Sequence, residues 1–254
     1  LRLVIMVLNT MQRESDSVFD EMVSASQDGV RTPYDALLNW LKEQDLKDLL
    51  KHSSQAEELF KRVGITFNVY GNKDGQERLI PFDLIPRILA MDEWRRIERG
   101  IIQRVAAINS FLNDVYHRQE IVKAGIIPSE LINQNRAFLP QMCGFTTPGN
   151  VYTHVVGVDI VRVSESEFYV LEDNARVPSG VSYMMENRET MMHMFPELFA
   201  MHRIKPVNNY PKQLFKSLSN CVRFASDALT IAVLTPGIFN SAYFEHSFLA
   251  DEMG

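Results

Sequence analysis

The spacing of hydrophobic residues predicts that the chain begins with helices. Apolar positions recur at helical intervals within residues 15–64. A capping signal with proline at the first helical position lies at residues 32–35 (Thr-Pro-Tyr-Asp), and a second capping box lies at residues 54–57 (Ser-Gln-Ala-Glu). Gly64 is a suitable helix stop. We therefore expect a helical N-terminal region over residues 1–64.

The pattern then changes to a hairpin and a long helix. Residues 65–70 alternate as a strand, residues 71–75 have turn composition, and residues 78–82 form the returning strand. Asp92 is predicted to cap a helix that runs to about Tyr116, with an apolar stripe along one face. Four arginines on this helix are interpreted as a solvated face: Arg95, Arg96, Arg99 and Arg104.

The central stretch, residues 152–188, predicts a second hairpin. Residues 155–163 are rich in β-branched residues, and residues 168–171 are aromatic and aliphatic. The polar segment 164–167 (Ser-Glu-Ser-Glu) between them suits a tight connection. Small residues follow at 178–180 (Pro-Ser-Gly), where a ligand could approach the backbone.

The register of this hairpin selects a candidate metal site. A two-residue turn at residues 165–166, or a four-residue loop at 164–167, places Asp159 directly opposite Glu172, with Asn174 on the same face. A three- or five-residue loop would shift that register. Two carboxylates and an amide oxygen suit Mg²⁺ or Mn²⁺ better than zinc. The alternative is that both carboxylates are solvated charges on an outer face.

The last part of the chain has the pattern of an α/β unit. Residues 185–195 and the segment from Pro211 to about Ala225 are predicted helices. Residues 229–235 resemble a buried strand, followed by a Pro-Gly turn and a helix over 240–254. Such a helix needs a following parallel strand, so we expect a polypeptide that continues. The alternative is a helix that ends on an antiparallel or mixed sheet.

Composition limits the function classes. The 254 residues, 46% hydrophobic and 23% charged, allow one large or two small globular domains. The net charge of −6 argues against nucleic acid, and the apolar run in residues 1–8 is too short to span a membrane. Cys143 and Cys221 match no metal or redox spacing, which favours a cytoplasmic setting. The chain has no Walker A, G-x-G-x-x-G or H-E-x-x-H motif.

Four stretches resemble one known family, the circularly permuted ATP-grasp proteins labelled glutathionylspermidine synthase-like. They are VYGNKDGQERLIPFDLIPRI (69–88), EWRRIERGIIQR (93–104), FYVLEDNARVPSGVSYMMENR (168–188) and VLTPGIFNSAYFEHSFLA (233–250). The likeness covers about residues 15–254. It implies an α+β or α/β, ATP-grasp-like fold that is circularly permuted. The metal- and phosphate-side part would be residues 65–204, with its hairpin at 152–174. A substrate-side domain would begin at residues 205–254.

The resemblance also implies a set of site residues. In ATP-grasp ligases an Asp on one strand and a Glu-x-Asn on the next hold Mg²⁺ against the ATP phosphates. These positions correspond to Asp159, Glu172 and Asn174, which would bind ATP through Mg²⁺ or Mn²⁺. Arg176 would hold an anionic substrate or the acyl phosphate, as a catalytic residue. The remaining implied substrate contacts are Ser179, Ser182, Asn240, Ser241, Tyr243 and Glu245.

The implied activity is an ATP-dependent carboxylate–amine ligase that forms an amide through an acyl phosphate. Its partners would be a small-molecule or peptide carboxylate and an amine. The alternatives are a non-catalytic ATP-grasp scaffold and an ATP-grasp phosphotransferase. Glutathionylspermidine synthetases carry an Arg two residues before the metal Asp, whereas this chain has Gly157 there and Arg162 three residues after the Asp. The lysines that clamp ATP are expected beyond Gly254.

Overall fold

The computed structural model describes residues 19–24, 29–68, 77–80, 82–222 and 229–254. These parts of the chain form a mixed structure of helices and two small sheets. The α-helices are α1 (Asp35–Glu43), α2 (Leu46–Val63), α3 (Met91–Tyr116), α4 (Glu120–Lys123), α5 (Ser129–Asn133), α6 (Val181–Met194), α7 (Pro196–Met201), α8 (Tyr210–Ser219) and α9 (Tyr243–Met253). Short 3₁₀ turns lie at Thr32–Tyr34, Pro140–Met142 and Pro148–Asn150.

Two antiparallel hairpins supply the strands. Strand β1 (Thr66–Asn68) pairs with β2 (Glu77–Leu79), and strand β3 (Gly157–Arg162) pairs with β4 (Phe168–Asn174). The alternating pattern predicts the first hairpin, the β-branched and aromatic runs predict the second, and both predictions are confirmed. The turn predicted at residues 71–75 lies outside the described residues.

Helix α2 begins earlier than the sequence indicates. The capping box at residues 54–57 predicts a helix start at Ser54, but α2 continues through it without a break. The N-cap is instead Asp45, whose carboxylate accepts a hydrogen bond from Lys47 N at 2.9 Å. The predicted stop is confirmed, because Gly64 ends α2 with φ at 81°, a conformation that glycine adopts without strain.

The main hydrophobic core lies between the N-terminal helices and the helices that follow the second hairpin. Its buried side chains are Tyr34, Leu37, Trp40, Leu41, Met191, Phe195 and Leu198. The Trp40 ring packs edge-on against Phe195, with ring centroids 5.2 Å apart. The Trp40 indole N–H donates to Glu197 Oε1 at 3.0 Å, so its one polar group is satisfied. Helix α1 is thereby joined to α6 and α7.

Helix α3 begins at Met91, one residue before the predicted cap at Asp92. The residue at its N-cap is Ala90, which has no polar side chain. Glu93 reaches back instead, and its Oε2 accepts a hydrogen bond from Ala90 N at 2.9 Å. Glu93 Oε1 also accepts from Arg31 and Arg162. The start of α3 is therefore tied to two other parts of the chain.

Helix α3 supports the second hairpin through its arginines. All four arginines are exposed, so the predicted solvated face is confirmed, but two of them also bond to the hairpin. The Arg96 guanidinium donates to the Ser166 carbonyl in the hairpin loop, and Arg104 binds Asp173 of β4. Sequence spacing did not reveal these contacts because the partners lie about 70 residues further along the chain.

Arg162, at the end of β3, is a buried charge. Its side chain is 0% exposed and lies between Glu93 of α3 and Glu21 of the N-terminal segment. Nη2 donates to Glu93 Oε1 at 2.5 Å, and Nη1 lies 3.7 Å from Glu21 Oε2. The guanidinium also stands 5.0 Å from the Phe168 ring centroid, within cation–π range. One buried side chain thus joins three segments of the chain.

The C-terminal part differs from the predicted α/β unit. Residues 229–235 form no strand, and Leu234 is 96% exposed. A strand requires a hydrogen-bonded neighbour, and the described residues place none beside this segment. The predicted helix that follows is present as α9, starting at Tyr243. Among the described helices, none combines the length and the apolar character that crossing a bilayer requires.

Removing the buried guanidinium should destabilise the protein strongly. We expect Arg162→Ala to lower the free energy of unfolding by about 3 kcal/mol, because Glu93 and Glu21 lose the cation between them. Urea denaturation followed by circular dichroism measures this. The exposed Arg118 is the matched control, and Arg118→Ala should change stability by less than about 0.5 kcal/mol. Equal midpoints for the two variants would contradict the role of Arg162.

Candidate functional site

The β3–β4 hairpin brings the three predicted metal ligands together. Asp159 pairs directly with Glu172, and Gly157 pairs with Asn174, as the sequence predicted. Directly opposed side chains project to the same side of the sheet. Asp159, Glu172 and Asn174 therefore share one face, which we call the front face of the hairpin. All three are exposed.

The loop that connects the two strands in this register differs in length from the predicted loop. Val163 N donates to Glu167 O at 3.1 Å, so the connection is a three-residue loop, and the predicted two- or four-residue loop is wrong. A three-residue loop alone would move Asp159 out of register with Glu172. The register shifts back at a bulge, where Leu171 is an extra residue in β4. The carboxylates face each other because the loop and the bulge compensate.

The front face presents oxygen atoms of the kind that hard divalent cations prefer. Directly opposed side chains on paired strands generally lie about 4.5–5.5 Å apart at Cβ, so like charges there repel each other, and a cation between them would relieve the repulsion. The Asn174 amide nitrogen donates to Glu172 Oε1 at 3.0 Å, so the amide is within reach of the same cation. Within the described ranges, no three His, Cys, Asp or Glu side chains converge on one metal position. Two carboxylates and one amide fit Mg²⁺, which is commonly held by one or two carboxylates together with water and substrate phosphates.

Helix α3 holds the opposite face of the hairpin, which we call the back face. Asp173 lies between two front-face residues in sequence and points to the back. Its carboxylate accepts a bidentate pair from Arg104, with Nε at 2.7 Å and Nη2 at 2.6 Å. This guanidinium lowers the pKa of the Asp173 carboxyl below its ordinary value. The bond holds the Asp173 carboxylate on the back face, whereas Glu172 is exposed on the front face.

The loop after β4 packs closely against the start of β3. A Cβ added at Gly157 would lie 2.8 Å from Pro178 Cβ, closer than two carbons can approach. A side chain at position 157 is therefore incompatible with this loop, which explains why the position holds glycine. Arg162 does not replace the missing arginine, because it is buried on the back face. The loop also exposes Arg176 and Ser179 beside the front-face residues of β4.

Two of the implied substrate contacts bond to each other instead of facing solvent. Ser182 is 0% exposed and Glu245 is 4% exposed. Glu245 Oε2 accepts hydrogen bonds from Ser182 Oγ at 2.7 Å, from Ser182 N at 3.0 Å and from Gly180 N at 2.7 Å. In this structure neither side chain is open to a substrate. The sequence did not signal the pairing, since 63 residues separate the partners.

The remaining implied contacts form the turn that opens α9. Asn240 Oδ1 accepts a hydrogen bond from Ala242 N at 2.9 Å, and Asn240 O accepts from Tyr243 N at 3.0 Å. Asn240, Ser241 and Tyr243 are each half-buried. This turn lies two residues before Glu245, which bonds to the loop after β4. The two predicted groups of site residues are thus joined through Glu245.

Comparison with known proteins identifies related chains. Residues 86–254 match a protein family described as "A circularly permuted ATPgrasp". An uncharacterized protein of Synechocystis sp. is 45% identical over 218 residues, which are 86% of this chain and 45% of that protein. An uncharacterized protein of Mycobacterium tuberculosis is 45% identical over 236 residues, which are 93% of this chain and 42% of that protein. The chain therefore spans less than half of the length of these relatives.

A further relative carries a functional name. The protein of Frankia alni named "Putative glutamate--cysteine ligase 2-3" is 37% identical over 252 residues. The match covers 96% of this chain but only 28% of that protein. The activity in that name therefore belongs to a protein much longer than the shared part.

Filling the space at Gly157 should disturb the loop after β4. We expect Gly157→Ala to cost about 1–3 kcal/mol of stability, because its Cβ would force Pro178 away. Gly100 is the matched control, since an added Cβ there meets nothing within 4 Å and the residue lies inside α3. Gly100→Ala should stabilise the protein by about 0.5–1 kcal/mol. Chemical denaturation measures both, and a shift of the same sign for both variants would contradict the packing argument.

The bond between Arg104 and Asp173 should make stability depend on pH in the acid range. The pKa of Asp173 is lower in the folded state, so the bond contributes fully above about pH 4 and is lost as the pH falls through the folded value. We expect Arg104→Gln to lower Tm at pH 7 and to reduce the fall in Tm between pH 5 and pH 3. Thermal unfolding at several pH values measures this. Arg95→Gln, at an exposed position of the same helix, should leave the profile unchanged.

Proposed function

Since this chain belongs to the circularly permuted ATP-grasp family, we propose that it forms the metal- and phosphate-binding part of an ATP-dependent carboxylate–amine ligase. The observation that supports the proposal most directly is the pairing of Asp159 with Glu172, with Asn174 on the same exposed face. The sequence pattern and the family resemblance select the same three residues. They would hold Mg²⁺ or Mn²⁺, whose charge offsets that of the ATP phosphates.

The proposed reaction has two steps. A substrate carboxylate attacks the γ-phosphoryl group of ATP, which gives an acyl phosphate and ADP. An amine then attacks the acyl carbon and displaces phosphate, which gives the amide. The enzyme contributes mainly positioning and electrostatic stabilisation, as in other phosphoryl transfers.

Arg176 and Ser179 are the proposed contacts to the anionic substrate or to the acyl phosphate. Both are exposed on the loop that leaves β4 directly after Asn174. A guanidinium there can bind a carboxylate or phosphate through paired hydrogen bonds. Asn240, Ser241 and Tyr243 belong to the same proposal as more distant substrate contacts, whereas the burial of Ser182 and Glu245 favours a supporting role.

The acid substrate is proposed to differ from a glutathione-type acid. The arginine expected two residues before Asp159 is absent, and Pro178 occupies the space that a side chain at Gly157 would need. A substrate carboxylate therefore finds no cation on β3 beside the metal ligands. Arg176 is the exposed cation of the neighbouring loop that could take this role.

A charge-neutral substitution tests the metal assignment. In the complete polypeptide that carries this sequence, Glu172→Gln should lower ADP release more than about 100-fold, since the bound cation supplies several kcal/mol of stabilisation. Glu167→Gln removes an exposed carboxylate from the same hairpin and is the matched control. The measurement is ADP release with Mg²⁺ or Mn²⁺ across a panel of acids and amines. Full activity in Glu172→Gln would rule out the assigned ligands.

Analysis of the products separates the ligase from the other candidate activities. Mass spectrometry should detect an amide together with ADP and phosphate. A phosphorylated acid that accumulates without amide would indicate a phosphotransferase. Absence of metal-dependent nucleotide binding by the wild-type protein would indicate a binding scaffold.

A further inference from the structure

The loop between β4 and α6 is held at its far end by a buried carboxylate from α9. Glu245 is 4% exposed, and one of its oxygens, Oε2, accepts three hydrogen bonds. Two come from the backbone N–H groups of Gly180 and Ser182, and the third comes from the Ser182 hydroxyl. A carboxylate that accepts several short bonds from one segment restrains that segment more than a neutral acceptor would.

The position of this carboxylate is electrostatically favourable. Gly180 is the N-cap residue of α6, and Ser182 lies in the first turn. The first N–H groups of a helix lack partners within the helix and carry partial positive charge. Glu245 satisfies two of them and places its negative charge at the positive end of α6. The N-terminus of α6 is therefore occupied by a group of the protein itself and is closed to a substrate phosphate.

Aromatic packing holds Glu245 in place. Phe244, the preceding residue of α9, stacks on Tyr183 of α6 with ring centroids 5.6 Å apart and planes 8° from parallel. Phe248 lies one helical turn further along α9, with its ring centroid 6.0 Å from that of Phe244. Burial, together with the Glu245 charge, raises the pKa of Tyr183. Helix α9 is thus packed against α6 next to the carboxylate bond.

We propose that Glu245 is a positioning residue that sets the path of residues 175–180. These residues leave β4 directly after Asn174 and carry Arg176 and Ser179. Within this segment Pro178 packs closely on Gly157 of β3, and Glu245 holds its last residue, Gly180. The effect on catalysis rests on the proposed ligase function, whereas the restraint on the loop does not. Helix α9 therefore determines where the Arg176 guanidinium lies relative to Glu172.

The experiment combines hydrogen exchange with kinetics in the complete polypeptide. Glu245→Gln keeps the shape of the side chain but removes its charge, and Glu245→Ala removes the acceptor. We expect amide exchange in the segment that holds Gly180 and Ser182 to accelerate by at least about tenfold in the alanine variant and less in the glutamine variant. Asp251→Asn, at an exposed position of α9, is the control and should exchange at the wild-type rate.

The kinetic readout separates positioning from general stability. We expect kcat to fall in Glu245→Gln while the KM for ATP stays within about threefold of wild type, because the metal ligands on β3 and β4 are untouched. Unchanged exchange in both Glu245 variants would overturn the proposed restraint. Faster exchange with an unchanged kcat would overturn the positioning role. If the wild-type protein releases no ADP, the proposed ligase function fails, and the exchange comparison alone still decides the restraint.

Discussion

The buried Arg162 guanidinium is the constraint on which the arrangement of the hairpin depends. A two-stranded hairpin is marginally stable in water by itself. Here its back face is fastened to α3 by the bonds of Arg162 with Glu93 and of Asp173 with Arg104. A buried cation must be paired, so Arg162 can occupy its position only when α3 and the N-terminal segment with Glu21 are in place. The orientation of the front face follows from this requirement.

The loop after β4 depends on a buried charge of the opposite sign. Glu245 bonds to Gly180 and Ser182, and it brings α9 against the start of α6. The hairpin is thus held by a buried cation on one side, and its following loop is held by a buried anion on the other. Between these two anchors lie the exposed residues Asp159, Glu172 and Arg176, which no described bond ties to a distant element. This combination of a rigid support and exposed polar side chains is typical of a ligand-binding site.

The close contact of Pro178 with Gly157 gives a physical reason why the arginine that the resemblance implies at position 157 is absent. The absence of an arginine at position 157 is visible in the sequence, but its consequence is steric and appears only in the structure. The loop fills the space, so a longer side chain at this position would require a different loop. Family membership therefore supports the metal chemistry of the front face more strongly than it supports the acid substrate.

The sequence by itself determined the features that depend on neighbours in the chain. The alternation of side chains placed Asn174 on the face of Glu172 and predicted the first hairpin, the β-branched and aromatic runs predicted the second, and Gly64 ended α2. These features arise from local backbone geometry, which a short window of sequence specifies. The family resemblance added the prediction that these residues bind a metal, because its motifs lie in the same windows.

The tertiary structure alone decided the features that depend on partners far along the chain. The bulge at Leu171 restored a register that the loop length would have lost, and no local signal marks it. Arg104 has the sequence environment of a solvated residue, yet it binds Asp173. Ser182 and Glu245 resemble substrate contacts until their mutual bond is seen. Whether a charged side chain is exposed, forms an ion pair or is buried depends on which distant group lies beside it. That neighbour is determined only when the helices and hairpins pack together.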